Sequence, residues 1–200
     1  MPSIYVSTCG SCDRSLKMTP KSPNTFTLRQ ESDIGCALPI DFSVFCSPVS
    51  NAMNIQDFLS PSDVTIDVAV ADKQKLLFKL ASTAGARLRL PPDHILAELT
   101  KREELGSTGV GDGVAIPHAR FPEIDKTFGM LFRLRQPIDF DALDGKPIDV
   151  VFLLLLPEGA KGEQLNALAC VARKLRSRTA TAALRNARDT AEIFRILAAE

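Results

Sequence analysis

The sequence lacks a charge excess, a membrane-length apolar run and an apolar leader. Lysine plus arginine number 24, as do aspartate plus glutamate, so the formal net charge is zero. Without a basic excess or a basic stripe, a nucleic-acid partner is not expected. The apolar run at 150–157 is far shorter than the roughly 20 residues that cross a bilayer. The first residues do not resemble a signal peptide, so we expect a cytoplasmic protein without membrane insertion.

Cysteine is scarce, and four of the five cysteines fall in the first 52 residues. Cys9 and Cys12 enclose Gly-Ser, which is the spacing of a zinc half-site or a redox pair. No second close cysteine pair supplies the other zinc ligands, and no strand and helix flank the pair as a redox motif requires. We therefore expect no metal and no cofactor, and we expect reduced thiols.

Apolar periodicity is also missing from residues 1–52, which hold nine serines and five prolines. This composition favours a disordered N-terminal extension. Periodic sequence begins at Met53 with Met-Asn-Ile-Gln-Asp-Phe-Leu, which is typical of a protein start. We expect residues 53–200 to form one domain, and the segment before it to be an upstream extension of the reading frame.

Residues 53–200 alternate strand and helix patterns. Strands are predicted at 63–70, 127–136 and 150–156, and helices at 71–88 and 91–106. The remainder is predicted to be helical, with Leu165, Leu168, Ala172 and Leu175 on one apolar face. Asp144-Gly145 predicts a turn between antiparallel strands. The fold class expected is α/β, with a mixed β-sheet sandwiched by helices.

Residues 109–120 place glycine at three alternate positions before Val-Ala-Ile-Pro-His-Ala-Arg. In a P-loop a lysine follows the second glycine, but Asp112 follows the similarly spaced Gly106 and Gly111. A dinucleotide fingerprint reads Gly-x-Gly-x-x-Gly between a strand and a helix, whereas this loop follows a helix. Both nucleotide-binding patterns are therefore excluded.

His118 is the candidate reactive residue of this loop. Pro117 stiffens the approach to the imidazole, and the glycines allow backbone N–H groups to face a ligand. With a pKa of about 6.5, the imidazole is largely neutral and nucleophilic near pH 7. From the spacing alone, a histidine that packs or caps at a strand end is equally compatible. His94 lies near a helix start and is expected to be a surface or capping residue.

A resemblance to a known family favours the first alternative. Three segments carry it: REELGSTGVGDGVAIPHAR at 102–120, PIDFDALDGKPIDVVFLLLLP at 137–157 and LACVARKLRS at 168–177. They resemble the IIA components of the sugar phosphotransferase system, mannitol/fructose class, and most of all its nitrogen-regulatory IIA proteins. The resemblance extends from Met53 to the C-terminus and leaves out the first 52 residues.

The resemblance implies a role for each site residue. His118 is expected to accept a phosphoryl group from the phosphohistidine of an HPr-like carrier, with Arg102 as the cation beside it. The expected phosphoryl-binding or supporting residues are Ser107, Thr108, Gly111, Gly113 and Gln164. The family usually has a second histidine where this chain has Gln164, which can donate a hydrogen bond but cannot take up a proton near neutral pH.

The resemblance also implies a regulatory output. The expected targets include potassium transporters and sensor kinases in nitrogen, potassium or carbon regulation. Two alternatives stay open: a binding module of the same fold that works unphosphorylated, and a IIA protein that feeds a separate sugar permease. The acidic cluster at Asp139, Asp141 and Asp144 departs from the spacing of a calcium loop, and we interpret it as turn chemistry.

Overall fold

A computed structural model of the chain describes residues 17–22, 25–29, 53–159 and 161–199. The chain divides into two units, Met1–Val49 and Ser50–Glu200. The first unit contains an antiparallel pair of strands, β1 (Lys17–Ser22) and β2 (Thr25–Arg29), in a segment where the sequence predicts no element. The Cys9–Cys12 pair lies outside the described residues. The disorder expected of residues 1–52 stays a prediction.

The second unit alternates strands and helices after two short 3-10 turns, Ile55–Asp57 and Pro61–Asp63. The elements that follow are β3 (Val64–Val68), α1 (Lys73–Leu88), α2 (Pro92–Glu104), β4 (Gly109–Gly111), β5 (Val114–Ala115), β6 (His118–Phe121), β7 (Phe128–Ile138), β8 (Ile148–Pro157), α3 (Lys161–Arg176), α4 (Arg178–Asn186) and α5 (Thr190–Ala198). All the helices and strands predicted for residues 53–200 are present, with ends shifted by a few residues.

The sheet of this unit is mixed, as predicted. β7 and β8 pair antiparallel, β3 is parallel to β7, and both β5 and β6 are parallel to β8. β5 and β6 follow one another along the same edge of β8, while β4 pairs antiparallel with β5. β6 therefore lies at the margin of the sheet, with His118 opposite Leu154 of β8.

Helices cover both faces of the sheet. Side chains of β8 alternate between two apolar clusters, because successive residues of a strand face opposite sides. Val151, Leu153 and Leu155 lie in the cluster that includes α1 and α2. Val150, Phe152 and Leu154 lie in the cluster that includes α3, α4 and α5. The result is a three-layer α/β/α sandwich.

Local signals explain where α1 begins and ends. The Asp72 carboxylate accepts the Lys75 backbone N–H at 2.8 Å, which satisfies one of the free donors of the first turn. At the other end Arg89 adopts the left-handed conformation with φ 58°. Leu76, Leu80 and Ala84, at the predicted spacing of four, are buried between these ends.

The prediction for the buried face of α3 is wrong at Leu165, whereas Leu175 is buried and Leu168 and Ala172 pack against the core as predicted. Leu165 is 69% exposed, whereas Gln164, Ala167, Val171 and Leu175 are buried. Each helical residue is rotated by about 100° from the one before it, so a stripe that starts one residue earlier turns Leu165 to the outside. Among the described residues, no helix is long and apolar enough to span a membrane.

Candidate active site

His118 is the first residue of β6, and its ring is held by backbone two residues earlier. The imidazole Nδ1 lies 2.9 Å from the carbonyl oxygen of Ile116. Because a carbonyl oxygen only accepts hydrogen bonds, Nδ1 must carry the proton in this contact. The neutral ring is then the Nδ1–H tautomer, and the lone pair lies on Nε2. The side chain is half-buried, so the ring remains partly open to solvent.

Arg102 approaches the other ring nitrogen from near the end of α2. Its Nε–H donates to His118 Nε2 at 3.1 Å. Since a guanidinium only donates, this contact independently makes Nε2 the acceptor. A second guanidinium nitrogen donates to the Gly106 carbonyl oxygen at 3.0 Å, which anchors the arginine to the turn after the helix. The structure thus brings together the two residues predicted to carry the chemistry.

The surroundings of His118 lower the pKa of the imidazole below its usual 6.5. Burial is the largest cause, because it disfavours the charged ring, and the positive charge of Arg102 acts in the same direction. The hydrogen bond to Ile116 and the carboxylate of Glu103 oppose the shift. The imidazole is therefore neutral at pH 7, as a nucleophile requires.

The hydroxyls of Ser107 and Thr108, predicted to bind a phosphoryl group, are engaged elsewhere. Ser107 Oγ donates to the Phe140 carbonyl oxygen at 3.0 Å and accepts the Gly109 N–H at 3.1 Å. Thr108 Oγ1 donates to Glu103 at 2.5 Å, and Thr108 is 4% exposed. The two hydroxyls therefore hold the loop in shape, and neither is a free donor in this conformation.

Gly111 is the last residue of β4 and Gly113 lies in the turn between β4 and β5, away from the imidazole. The Gly113 carbonyl oxygen accepts the backbone N–H of Val150, while His118 pairs with Leu154. Four residues of a strand separate those two positions, a distance of about 13 Å. A Cβ on Gly113 would lie 2.4 Å from the guanidinium of Arg185. Gly113 therefore serves a tight turn at a distance from His118, and a phosphoryl-binding role for the two glycines stays a prediction.

Gln164 occupies the first turn of α3 and is only 3% exposed. Its amide nitrogen donates to the carbonyl oxygen of Pro157, the last residue of β8. Its Oε1 is buried and accepts no hydrogen bond from any residue that the structure describes. Pro157 pairs with Phe121, three residues along β6 from His118. Within the described part of the chain, no hydrogen bond joins Gln164 to the imidazole.

The acidic cluster forms turn contacts. The Asp141 backbone N–H donates to the Asp139 carboxylate, and Asp144 accepts the backbone N–H of Asp112 and of Lys146. These backbone hydrogen bonds hold the pKa of the Asp144 carboxyl below its usual value. His94 is half-buried in the first turn of α2, with its ring edge-on to Phe121.

Glu103 is the site residue that the sequence analysis missed. It lies in the run Lys-Arg-Glu-Glu, which is typical of a solvated helix end, yet it is 8% exposed. A signal was present, because Ile95, Leu99 and Glu103 are spaced by four and form the buried stripe of α2. A carboxylate that continues an apolar stripe needs a partner, and Lys73 supplies one at 2.9 Å.

Solved structures with the same architecture come from phosphotransferase proteins. The crystal structure of the nitrogen regulatory protein IIA-Ntr from Neisseria meningitidis matches with a TM-score of 0.69 and 36% identity, over 72% of this chain and 98% of that one. IIA mannitol from Escherichia coli matches with a TM-score of 0.61, over 70% of this chain and 99% of that one. At 15% identity, the second match shows the fold alone.

Sequence comparisons identify the family. Residues 57–200 match the family described as phosphoenolpyruvate-dependent sugar phosphotransferase system, EIIA 2. The nitrogen regulatory protein of Bradyrhizobium diazoefficiens is 42% identical over 146 residues, which are 73% of this chain and 95% of that protein. The chain belongs to the EIIA 2 family and is of its nitrogen-regulatory IIA type. The resemblance found in the sequence is confirmed.

Proposed function

We propose that this chain is a phosphocarrier that takes a phosphoryl group onto His118 Nε2 and regulates target proteins by its phosphorylation state. One observation carries the proposal: Nδ1 is tied to the Ile116 carbonyl oxygen while Nε2 faces the Arg102 guanidinium. The ring is thereby fixed in orientation and tautomer, and its Nε2 lone pair faces the positively charged guanidinium of Arg102. The donor is the phosphohistidine of an HPr-like carrier.

The transfer exchanges one phosphorus–nitrogen bond for another. The Nε2 lone pair attacks phosphorus in line as the bond to the donor imidazole breaks, and the bond's electron pair returns to the donor ring. No proton has to leave His118, because Nδ1 keeps its hydrogen on the Ile116 carbonyl throughout. The ring gains positive charge in the process, which that carbonyl oxygen and the Glu103 carboxylate both favour.

Arg102 has a different role before and during the transfer. In the free protein its Nε–H covers the Nε2 lone pair, so the guanidinium must move aside for phosphorus to approach. Anchored at the Gly106 carbonyl, it stays close enough to donate to the equatorial oxygens of the phosphoryl group. A hydrogen bond between charged groups of this kind is worth about 1.5–3 kcal/mol.

The regulatory output follows from charge. The phosphoryl oxygens bring nearly two negative charges to a partly exposed site, and a net negative charge remains after the positive charge that the ring gains, which is enough to exclude one partner or recruit another. The relatives named as nitrogen regulatory proteins support a regulatory role over transport. Potassium transporters and sensor kinases are the target classes that we propose.

Gln164 favours a second candidate function, a binding module that works unphosphorylated. Its amide cannot exchange a proton near neutral pH, and it donates to Pro157 rather than to the imidazole. Under this alternative the fold would present the same surface to targets without phosphoryl transfer.

Phosphorylation of the isolated chain separates the two candidates. The protein is incubated with phosphoenolpyruvate, the general phosphotransferase enzyme and its HPr-like carrier, and acid-labile phosphate is measured. Wild type and His94→Ala should both take up one phosphoryl group, whereas His118→Ala should take up none. His94→Ala is the matched control because it removes the only other imidazole. If wild type took up no more phosphate than His118→Ala, the phosphocarrier proposal would be refuted and the binding-module alternative would remain.

A further inference from the structure

Glu103 is a buried carboxylate with more partners than an ion pair needs. Its two oxygens accept the Thr108 backbone N–H at 3.1 and 3.0 Å, and one of them accepts the Thr108 hydroxyl at 2.5 Å. Lys73 adds a salt bridge at 2.9 Å. One side chain at the end of α2 thereby fixes both the backbone and the side chain of Thr108 in the loop that follows.

Thr108 is connected to the His118 imidazole by two further hydrogen bonds. Its carbonyl oxygen accepts the Ile116 N–H at 2.9 Å, and the Ile116 carbonyl oxygen accepts His118 Nδ1–H at 2.9 Å. Every link in the sequence from Glu103 through Thr108 and Ile116 to His118 is a hydrogen bond. Displacing Thr108 therefore displaces one of the two contacts that place the ring proton on Nδ1, the other being the Arg102 Nε–H at Nε2.

Stability alone does not explain a carboxylate at this position. A buried ion pair is often no more stabilising than apolar side chains of similar volume, and α2 already buries Ile95 and Leu99 on the same stripe. Lys73 also contacts Asp141 at 3.0 Å and lies over the Phe140 ring, so it does not depend on Glu103 for a partner. An apolar residue, however, could not accept the three hydrogen bonds that the Thr108 backbone N–H and hydroxyl donate to Glu103.

We propose that Glu103 is a positioning residue that, through Thr108 and Ile116, holds His118 in the Nδ1–H tautomer and so selects Nε2 as the atom to be phosphorylated. The tautomer part concerns the free protein. The choice of phosphorylated atom rests on the proposed function.

The first test reads the tautomer directly in the unphosphorylated full chain. ¹⁵N NMR of the histidine side chains reports which ring nitrogen is protonated, and His94→Asn assigns the two imidazoles. Wild type should show Nδ1–H at His118. Glu103→Gln should change the tautomer ratio toward Nε2–H by about 2- to 10-fold, as expected for weakening one neutral hydrogen bond. Glu103→Asp, which keeps the charge, should recover part of the wild-type ratio.

Asp149→Asn is the matched control. Asp149 forms a comparable part-buried pair with Arg185, at 2.7 and 2.8 Å, but beside the Gly113 turn. Its loss should leave the His118 ratio unchanged. An unchanged ratio in folded Glu103→Gln overturns the proposal, as does an equal change in both variants, which would indicate general loosening.

Glu103→Gln preserves the side-chain shape, and Lys73 keeps Asp141 as its partner, so the variant is expected to fold. If Glu103→Gln does not fold, Thr108→Val tests the proposal instead, because this variant removes only the hydroxyl that donates to Glu103. Its tautomer ratio must then change in the same direction, and a wild-type ratio overturns the proposal.

The second test reads the phosphorylated atom. ³¹P and ¹⁵N NMR of the phosphorylated protein should place the phosphoryl group on Nε2 in wild type and partly on Nδ1 in Glu103→Gln, with slower uptake. Exclusive Nε2 phosphorylation at the wild-type rate in Glu103→Gln would overturn the selection role. If wild type takes up no phosphate, the proposed function fails while the tautomer result still stands or falls by itself.

Discussion

The Nε atom of Arg102 lies 3.1 Å from Nε2 of His118, so the arginine occupies the side of the ring from which phosphorus must approach. The same guanidinium is tied to the Gly106 carbonyl oxygen, which keeps it close when it leaves the nitrogen. In the free protein the arginine covers the Nε2 lone pair, and under the proposed function it would donate to the phosphoryl oxygens after transfer.

Arg102→Ala should slow phosphoryl uptake by about 10- to 100-fold, the equivalent of one charged hydrogen bond in the transition state. The uptake rate of Arg102→Lys should lie between those of wild type and Arg102→Ala, because a lysine keeps the charge but loses the planar fork of donors. Rapid-quench measurement of uptake from the phosphorylated carrier gives the rates. Arg195→Ala, at an exposed position of α5, is the control. Wild-type uptake by Arg102→Ala would remove the arginine from the site.

His118 should titrate below its ordinary pKa of 6.5, and Arg102→Ala should raise its midpoint because one cause of the shift is then gone. The unfolded chain binds more protons than the native one as the pH falls through 6.5, so His118 makes the native state less stable there. NMR titration and urea unfolding at several pH values measure both effects. Well above pH 6.5 the ring is neutral in both the native and the unfolded chain, so its contribution to stability no longer changes with pH. A His118→Gln protein with the wild-type pH slope of stability would contradict this account.

Gln164→His should change the lifetime of the phosphorylated protein, because it introduces a proton-exchanging group where the chain has an amide. The direction is toward faster hydrolysis, since an imidazole can act as a general base for water. The decay of acid-labile phosphate at neutral pH is the measurement, with Gln164→Asn to control for lost packing. Identical decay in wild type and Gln164→His would leave Gln164 with a structural role only.

Gly113→Ala should lower the free energy of unfolding by about 1–3 kcal/mol without slowing phosphoryl uptake. The glycine has φ 79°, and an added Cβ would meet Arg185 and Asp149. Gly162→Ala is the contrast, because that helical position has no atom within 4 Å of an added Cβ and alanine favours the helix. Slow uptake by a folded Gly113→Ala protein would return this turn to the phosphoryl-binding set.

The sequence predicted what depends on local patterning. The four-residue spacing in α1, the run of apolar residues in β8 and the Asp144-Gly145 turn were enough to predict a mixed α/β sandwich. His118 and Arg102 required the family resemblance, because sixteen positions separate them and only the packing of α2 beside β6 brings them together.

Errors arose where tertiary contacts decide. On α3 only Leu165 was misjudged, because a leucine at that position fits an apolar pattern with Leu168, Ala172 and Leu175 but points away from the sheet. Ser107 and Thr108 look like free donors until Phe140 and Glu103, which no local rule connects to them, occupy their hydroxyls. For the Gly111–Gly113 turn the role of ligand cradle stays a prediction, because glycine suits a tight turn and a close approach to a ligand equally well.

The position of β6 at the margin of the sheet affects how a phosphoryl donor would reach His118. Among the described strands it pairs only with β8, so His118 lies at a sheet margin that no other described strand covers, which under the proposed function favours docking of a donor protein there. Arg102 and the exposed Arg120 both place positive charge near His118, and under the proposed function this charge would speed the arrival of an anionic phosphorylated donor, an effect that dissolved salt weakens. Association with the donor should therefore slow as ionic strength rises, while the intrinsic step within the complex stays the same.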